Sequence, residues 1–368
     1  MTKKKIHIYT QYYFPISNAC SNRVEKYILA LKHNYDISVI TWMPNYPTWI
    51  KNTEYKYKLF KREIGRFWEN IIRTYELATK NEWSILRLLN YFSFMISSSI
   101  YWLFSQKPEK IIVTSPPLFT ALSVLFLYKI RKIPYILEVR DLWPESVVAL
   151  WYMKKKSLGY KLFSRLEKSL YQNADQIIWV TQWICSYIKE LWIDNKKINL
   201  QYNVSKKLIW NNLQNPYLNL SEKISWKKIF LFAGNINEAY DFESAVIKIK
   251  EKSNLFFVFI WDGSMKNYLI EKTNGFNNIL FLNRVSYKEV QNYIYYSQGI
   301  FIPLQNNDFF KWTFPVKWIE ALVNNKEILF IGPEGEFSSC LEKYNKWEFK
   351  SEIMTYEYFQ KHINWLIK

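Results

Sequence analysis

The chain has 368 residues, 49% of them hydrophobic, enough to build the cores of two domains of ordinary size. Its three cysteines, Cys20, Cys185 and Cys340, are scattered and odd in number, which argues against a disulfide framework or a cysteine metal site and fits the cytoplasm. A formal net charge of +18 fits a nucleic-acid or anionic-membrane partner. Only nine of the 50 basic residues are Arg, however, and the lysines run along the whole chain beside abundant Asn, Ile, Tyr and Phe, as in an A/T-rich coding sequence.

In chain order, Lys5–Thr10 is a strand, too short and polar to be a signal-peptide core. Arg23–His33 is a helix and Asp36–Thr41 a second strand. The segment Ile85–Phe104 carries Arg87, Asn90 and four serines, so it reads as a long core or membrane-surface helix rather than a span. Strands follow at Lys110–Ser115, Pro134–Val139 and Gln176–Thr181. Between the last two lies an amphipathic helix, Tyr160–Asn173, with Leu162, Phe163, Leu166 and Leu170 on one face. A polar, Asn-rich stretch interrupts the alternation. Strands resume at Lys228–Ala233, Leu255–Ile260, Asn278–Leu282, Gly299–Leu304 and Glu327–Ile331, with helices between. Two successive βα arrays predict two doubly wound domains, whose ligands lie at the carboxyl ends of the strands. The natural site is then a central cleft between them.

Three segments carry chemistry. "YILEVRDLWPESV", residues 135–147, is a buried strand that ends in Arg140, Asp141 and Glu145; it is either an ion pair closing a strand or a polar cluster at the cleft. "LFAGNINEAYDFESAV", residues 231–246, is a strand, a turn and a helix start, whose main-chain N–H groups suit a phosphate. In "TFPVKWIEALVNNKEILFIGPEGE", residues 313–336, Lys317 and Glu320 share a helix face, as a cation for phosphates and a carboxylate for ribose hydroxyls would, or as a surface pair would.

Together, in this order, these segments resemble glycosyltransferase family 4, of the GT-B fold, and within it the branch that builds O-antigen and capsule polysaccharides, often with N-acetylated amino-sugars. The likeness also takes in "YTQYYFPISNACSNRVEKYILAL", "TWMPNYPTW", "VTSPPLFTAL" and "FIWDGSMKNYL"; "RDLWPES" is its most specific segment. It implies an acceptor-side domain over residues 1–202, a linker region over 203–226 and a nucleotide-sugar domain over 227–351, with a C-terminal helix in 352–368 placed to pack back on the first domain. The implied reaction is retaining transfer of a sugar, without metal or cofactor, from a nucleotide donor, UDP-linked in the first instance. The implied acceptor is a saccharide or a polyprenyl-diphosphate-linked sugar at the inner face of the cell membrane, where the protein would be peripheral and bind anionic lipid through Lys51, Lys56, Lys58, Lys61, Arg62 and Arg66. No nucleic-acid partner is implied.

By the same resemblance, Glu320 bonds the nucleotide ribose and Lys317 faces the phosphates. Arg284 and Val285 pack on the base, and Gly234 and Asn235 line the diphosphate turn. Arg140 and Asp141 stand where many members place a His-Asp pair beside the transferred sugar and are the catalytic candidates. Asn18, Ala19 and Arg23 occupy the acceptor-side loop after the first strand. The Glu-x7-Glu pattern of the wider family has Trp312 at its first position here, so no catalytic carboxylate is carried over from it.

Glycine is scarce and tryptophan abundant: 8 Gly against 17 Trp, where about 7% Gly is ordinary. Trp42, Trp49, Trp183, Trp192, Trp226, Trp261 and Trp347 stand where the branch usually has Gly, and Trp151, Trp179 and Trp312 join them; Trp143, in "RDLWPES", is a family Trp. The pattern is that of UGA codons meaning glycine but rendered as Trp. Asn237, Asn283 and Asn325 also replace usual glycines, and Asn is the best non-Gly residue for the left-handed region. Two alternatives remain: a nucleotide-sugar 2-epimerase of the same fold, which would need a cleft His that His7, His33 and His362 do not supply, and a basic nucleic-acid- or membrane-binding protein.

Overall fold

A computed structural model describes residues 3–16, 19–45, 50–51, 53–79, 85–149, 153–205, 208, 213–218, 224, 226–307, 310–345 and 356–367. The chain divides into two compact units, residues 1–201 with 359–368, and residues 202–358.

The first unit is built on eight strands: β1 (Lys4–Tyr9), β2 (Tyr35–Trp42), β3 (Phe60–Ile64), β4 (Asn70–Thr74), β5 (Lys110–Ser115), β6 (Tyr135–Val139), β7 (Gln176–Trp179) and β8 (Ile198–Leu200). Their order is β3-β4-β2-β1-β5-β6-β7-β8, parallel except for the β3–β4 pair. The helices are α1 (Ala19–Leu31), α2 (Ile85–Leu103), α3 (Leu118–Arg131), α4 (Glu145–Ala149), α5 (Leu158–Asn173) and α6 (Gln182–Glu190). Central strands such as "IIVTS" and "YILEV" are buried on both faces because helices cover both, burying Ile111, Val113, Leu137 and Ile177, with Glu138 the one charged residue among them. Among the described residues no helix is long and apolar enough to cross a membrane.

The second unit has five parallel strands, β9 (Lys228–Ala233), β10 (Leu255–Ile260), β11 (Ile279–Leu282), β12 (Gly299–Pro303) and β13 (Glu327–Ile331), in the order β11-β10-β9-β12-β13. Helices α7 (Phe242–Glu251), α8 (Lys266–Lys272), α9 (Tyr287–Tyr296) and α10 (Val316–Val323) connect them, and α11 (Glu336–Asn345) follows β13. Phe230, Phe232, Phe257, Phe259 and Phe301 form an aromatic core on the sheet. The strand order reverses between β9 and β12, so the loops after these two strands part at that point and open a crevice.

Helix α12 (Tyr356–Ile367) ends the described chain. Phe359 meets the Tyr27 ring edge-on at 5.1 Å, and Asn364 donates to the Ala30 carbonyl at 3.1 Å.

Of the positions read as replaced glycines, Trp192 has φ 61° and Trp261 φ 133°. Trp42, Trp179 and Trp226 are not at positive φ; Trp42 and Trp179 are buried with indole Nε1 atoms that meet no hydrogen-bond partner among the described residues. Trp49, Trp151 and Trp347 lie outside the described residues, as do the side chains of Trp183 and Trp312. Asn325 takes the left-handed region at φ 52°, as expected, whereas Asn237 and Asn283 do not.

Candidate nucleotide site

Chain geometry brings the donor-side candidates to the carboxyl edge of the second sheet. β9 ends at Ala233, and the next residue, Gly234, turns with φ 141°, a conformation that favours glycine. A Cβ on Gly234 would lie 2.8 Å from Cε of Lys317, so only a bare backbone lets this lysine lie flat against the turn. The lysine reaches there from the first turn of α10, whose start at Val316 follows Pro315. Its Nζ sits 3.6 Å above the Phe232 ring centroid and 4.3 Å from that of Tyr240, and donates to the Tyr240 hydroxyl at 2.8 Å. Burial pulls its pKa below the ordinary lysine value, opposed by Tyr240 and then Glu320. Among the described residues no carboxylate forms an ion pair with it. A half-buried ammonium supported by ring faces rather than by a carboxylate is chemically fitted to an incoming anion.

Glu320 follows on the same helix face, half-buried. Asn235 is exposed beside Gly234. Its turn is stitched to the loop after β10: Ile236 N–H donates to the Asp262 carbonyl at 3.0 Å, and Met265 N–H to the Ile236 carbonyl at 2.9 Å. A Cβ on Gly263 would overlap the Ile236 carbonyl. Arg284 and Val285 follow β11, half-buried, with the Arg284 guanidinium 4.5 Å from the Trp261 ring centroid. The indole at position 261 thus lies among the candidate residues. Sequence reasoning missed Tyr240. Its backbone bridges to Leu304 and its carbonyl accepts from Gln305 Nε2 at 3.1 Å, which pins the hydroxyl at the crevice between the β9 and β12 loops. The signal was an aromatic in the turn opened by Gly234, two residues before the first residue of α7.

In the first unit, β6 delivers Arg140 and Asp141. Arg140 Nη1 donates to Cys20 Sγ at 2.8 Å and Nη2 to the Pro116 carbonyl at 3.2 Å. The Asp141 carboxyl is pushed up to about 7 by burial, against the Leu142 backbone N–H and Arg140. Glu145 accepts from the Tyr160 hydroxyl and pairs with Lys155 at 3.1 Å.

Arg23 departs from its expected place. It lies in α1, which starts at Ala19, four residues before the helix start expected at Arg23; it is buried and pairs with the fully buried Glu138, which also accepts from the Tyr27 hydroxyl at 2.8 Å. A guanidinium paired with an internal carboxylate joins α1 to β6. Asn18 and the side chain of Ala19 lie outside the described residues. The basic patch also resolves differently. Lys51 pairs with buried Glu76 at 3.4 Å, Lys61 with Glu54 and Glu63, and Arg66 with Glu25, leaving Lys56, Lys58 and Arg62 exposed without an ion pair among the described residues.

Asp141 and Glu167, whose carboxyl burial raises to about 8, set a pH dependence. Between their ordinary and raised values the native state keeps protons that the unfolded chain has lost, so the contribution of these two carboxyls to stability falls as pH rises from about 4 to about 8, against the opposite trend of His7, which burial lowers to about 4. The melting temperature of Asp141→Asn minus that of its parent should therefore rise with pH across the range in which Asp141 loses its proton. A variant as pH-sensitive as its parent would contradict the burial of this carboxyl.

No family model matches the chain. WcaI of Escherichia coli K12, a protein assigned by name to colanic acid biosynthesis as a glycosyl transferase, is 25% identical over 267 residues, 69% of this chain. The match spans 65% of that relative's length. Among solved structures, sucrose-phosphate synthase from Thermosynechococcus elongatus superposes with a TM-score of 0.68 at 11% identity, covering 99% of this chain and 95% of that one. HepE from Anabaena, determined with UDP and glucose, gives 0.64 at 10% identity over 99% of both chains. Likenesses at such identities carry the fold alone, and the fold is the GT-B class of two doubly wound units expected from the sequence.

Proposed function

We propose that the chain is a retaining, metal-independent glycosyltransferase of family 4. It would move a sugar from a UDP-linked donor to a saccharide or polyprenyl-diphosphate-linked acceptor in cell-surface polysaccharide synthesis, at the inner face of the membrane. The observation that carries this reading is the Lys317 ammonium, held over Phe232 and Tyr240 against the bare backbone of Gly234, at the strand-order reversal of the second sheet. The likeness to WcaI and the UDP in HepE support it.

In this reading residues 227–351 hold the donor. Lys317 and the Gly234–Asn235 turn take the diphosphate, Glu320 the ribose, and Arg284 with Val285 the base. As the sugar–phosphate bond breaks, negative charge grows on the leaving diphosphate; a preplaced cation stabilises that charge more than the ground state and so speeds the step. The acceptor hydroxyl attacks the same face of the oxocarbenium-like centre. Arg140 and Asp141 are assigned to the transferred sugar; a carboxyl near neutral pKa can exchange a proton there. The epimerase alternative gains nothing from the histidines: His7 is buried inside β1, and neither it nor His33 nor His362 lies in the loops at the carboxyl edge of the second sheet.

Glu320→Gln keeps the shape but loses a charge-assisted bond to a ribose hydroxyl, about 1.5–3 kcal/mol. KM for the donor should rise roughly 10- to 100-fold, about 1.4 kcal/mol being tenfold. Unchanged donor kinetics in Glu320→Ala would remove the ribose assignment.

We also propose that the tryptophans at family glycine positions are UGA-encoded glycines. Positive φ at Trp192 and Trp261 supports this, since an L side chain there is strained and Gly is not. The coding DNA should show TGA at those positions and TGG at Trp143; TGG at most of them would dispose of the idea.

A further inference from the structure

Helix α2 is turned inside out. Its fully outward positions, Leu86, Leu89, Phe92, Ile96, Ile100 and Leu103, are all apolar and 39–57% exposed. Its polar residues face the protein instead: Arg87, Asn90, Ser97, Ser98 and Ser99 are buried. The rotation is locked by inward hydrogen bonds. Asn90 Nδ2 donates to Glu76 at 3.0 Å, Ser97 Oγ to the Tyr75 carbonyl at 2.5 Å, and Arg87 Nη2 to the Tyr12 hydroxyl at 3.3 Å. Outward steps of three or four residues make one continuous stripe, about 26 Å long at 1.5 Å per residue.

The surroundings of the stripe are basic and aromatic. Near its C-terminal end β3 brings Phe60 to 5.7 Å and the Arg62 guanidinium to 5.9 Å from the Tyr101 ring, and the segment before β3 exposes Lys56, Lys58, Tyr57 and Leu59. Phe104, 88% exposed, extends the apolar line. α3 runs alongside, with Phe119 stacked on Tyr91 at one end and Arg131 donating to the Trp102 carbonyl at 3.0 Å at the other, and exposes Phe126, Lys129 and Ile130.

From this geometry we propose that the outer face of α2 lies in the interfacial layer of an anionic lipid bilayer, with Lys56, Lys58 and Arg62 on its headgroups. A stable apolar stripe of this length on a water-facing helix is unfavourable, whereas an interfacial helix buries such a stripe among acyl chains. Cations beside it match the negative surface potential of an anionic leaflet. The inference deepens the reading of a lipid-linked acceptor, but its geometry does not depend on that reading. None of the seven leading recoded positions lies on α2, so the stripe is the same with Trp or Gly at them.

The test is partition of the 368-residue chain onto vesicles of phosphatidylglycerol with phosphatidylethanolamine, and onto phosphatidylcholine alone, needing neither donor nor acceptor. The parent should prefer the anionic vesicles. The triple variant L89Q/I96Q/I100Q should bind them at least about tenfold more weakly at low and high salt, with its melting temperature unchanged or raised. The triple variant K56Q/K58Q/R62Q should lose the anionic preference, and at high salt the parent should lose it too. A parent that ignores anionic vesicles, or an α2 variant that binds as its parent does, overturns the proposal while leaving transferase activity untouched. An α2 variant that turns a dimer into a monomer with vesicle binding unchanged would assign the face to a second copy of the chain.

Discussion

Lys317→Met should lower kcat/KM for the sugar nucleotide by roughly 100- to 1000-fold, the scale of losing one preorganised charge stabiliser, about 2.7–4 kcal/mol. Met keeps an unbranched stem to lie over Phe232 and against Gly234, so the fold should survive and the loss should report the charge. The size rests on position. The ammonium is fixed by the Tyr240 hydroxyl and two ring faces, so it need not reorganise as charge develops on the diphosphate. Tyr240→Phe removes the 2.8 Å hydrogen bond but keeps the ring; a milder loss, about tenfold, is expected from an unanchored but still present cation. If Lys317→Met turned over donor as its parent does, the diphosphate would have to bind elsewhere.

The second large effect is on stability and has the opposite sign from most substitutions. Trp192→Gly and Trp261→Gly should each stabilise the chain, by about 1–3 kcal/mol, the cost of holding an L residue in a sparsely populated backbone region. Trp192 is the cleaner case: its side chain is 90% exposed, so deleting it forfeits little packing, while φ 61° is ordinary for Gly. A rise in melting temperature of about 2–4 °C per kcal/mol is expected for a unit of this size. At Trp261 the gain is partly offset by the lost contact with Arg284. The added effect is on the site, because removing the indole opens the space beside Arg284 and should lower KM for the donor. The buried positions behave differently. Trp42 packs edge-on against Tyr12 at 4.9 Å and near Phe94 at 6.3 Å, so removing it trades an unpartnered buried N–H against a large void. A fall in melting temperature on Trp192→Gly would contradict the strain argument.

What was legible in the sequence follows burial. β5, β9 and β10 match their expected limits to the residue, because strands covered on both faces are apolar runs, and β13, a half-buried edge strand, matches through its own run "ILFI". β3, β4 and β8 were not foreseen. β3 is "FKREI", an exposed antiparallel edge whose charges hide the strand signal, and β8 has only three residues. α2 was foreseen as a helix, yet its orientation was not, because a run so rich in apolar residues leaves its buried face undetermined. The buried serines and Asn90 settle it only once Tyr75 and Glu76, at the end of β4, stand beside them. The shared helix face of Lys317 and Glu320 could be read from their spacing. That Gly234 lies beneath the lysine and Tyr240 above it could not, since 77 residues separate Tyr240 from Lys317. Arg23 misled for a related reason: its partner Glu138 lies 115 residues away, and nothing local marks a buried ion pair.

The most direct test of the central claim is acceptor-dependent release of nucleoside diphosphate, measured for the folded 368-residue chain over a panel of sugar nucleotides and polyprenyl-diphosphate sugar acceptors. One donor should be consumed only when an acceptor is present, its sugar should keep its anomeric configuration in the product, and Lys317→Met should abolish nearly all of the release. A folded chain that leaves every sugar nucleotide intact, or one whose Lys317→Met variant releases diphosphate at the parent's rate, would contradict the account.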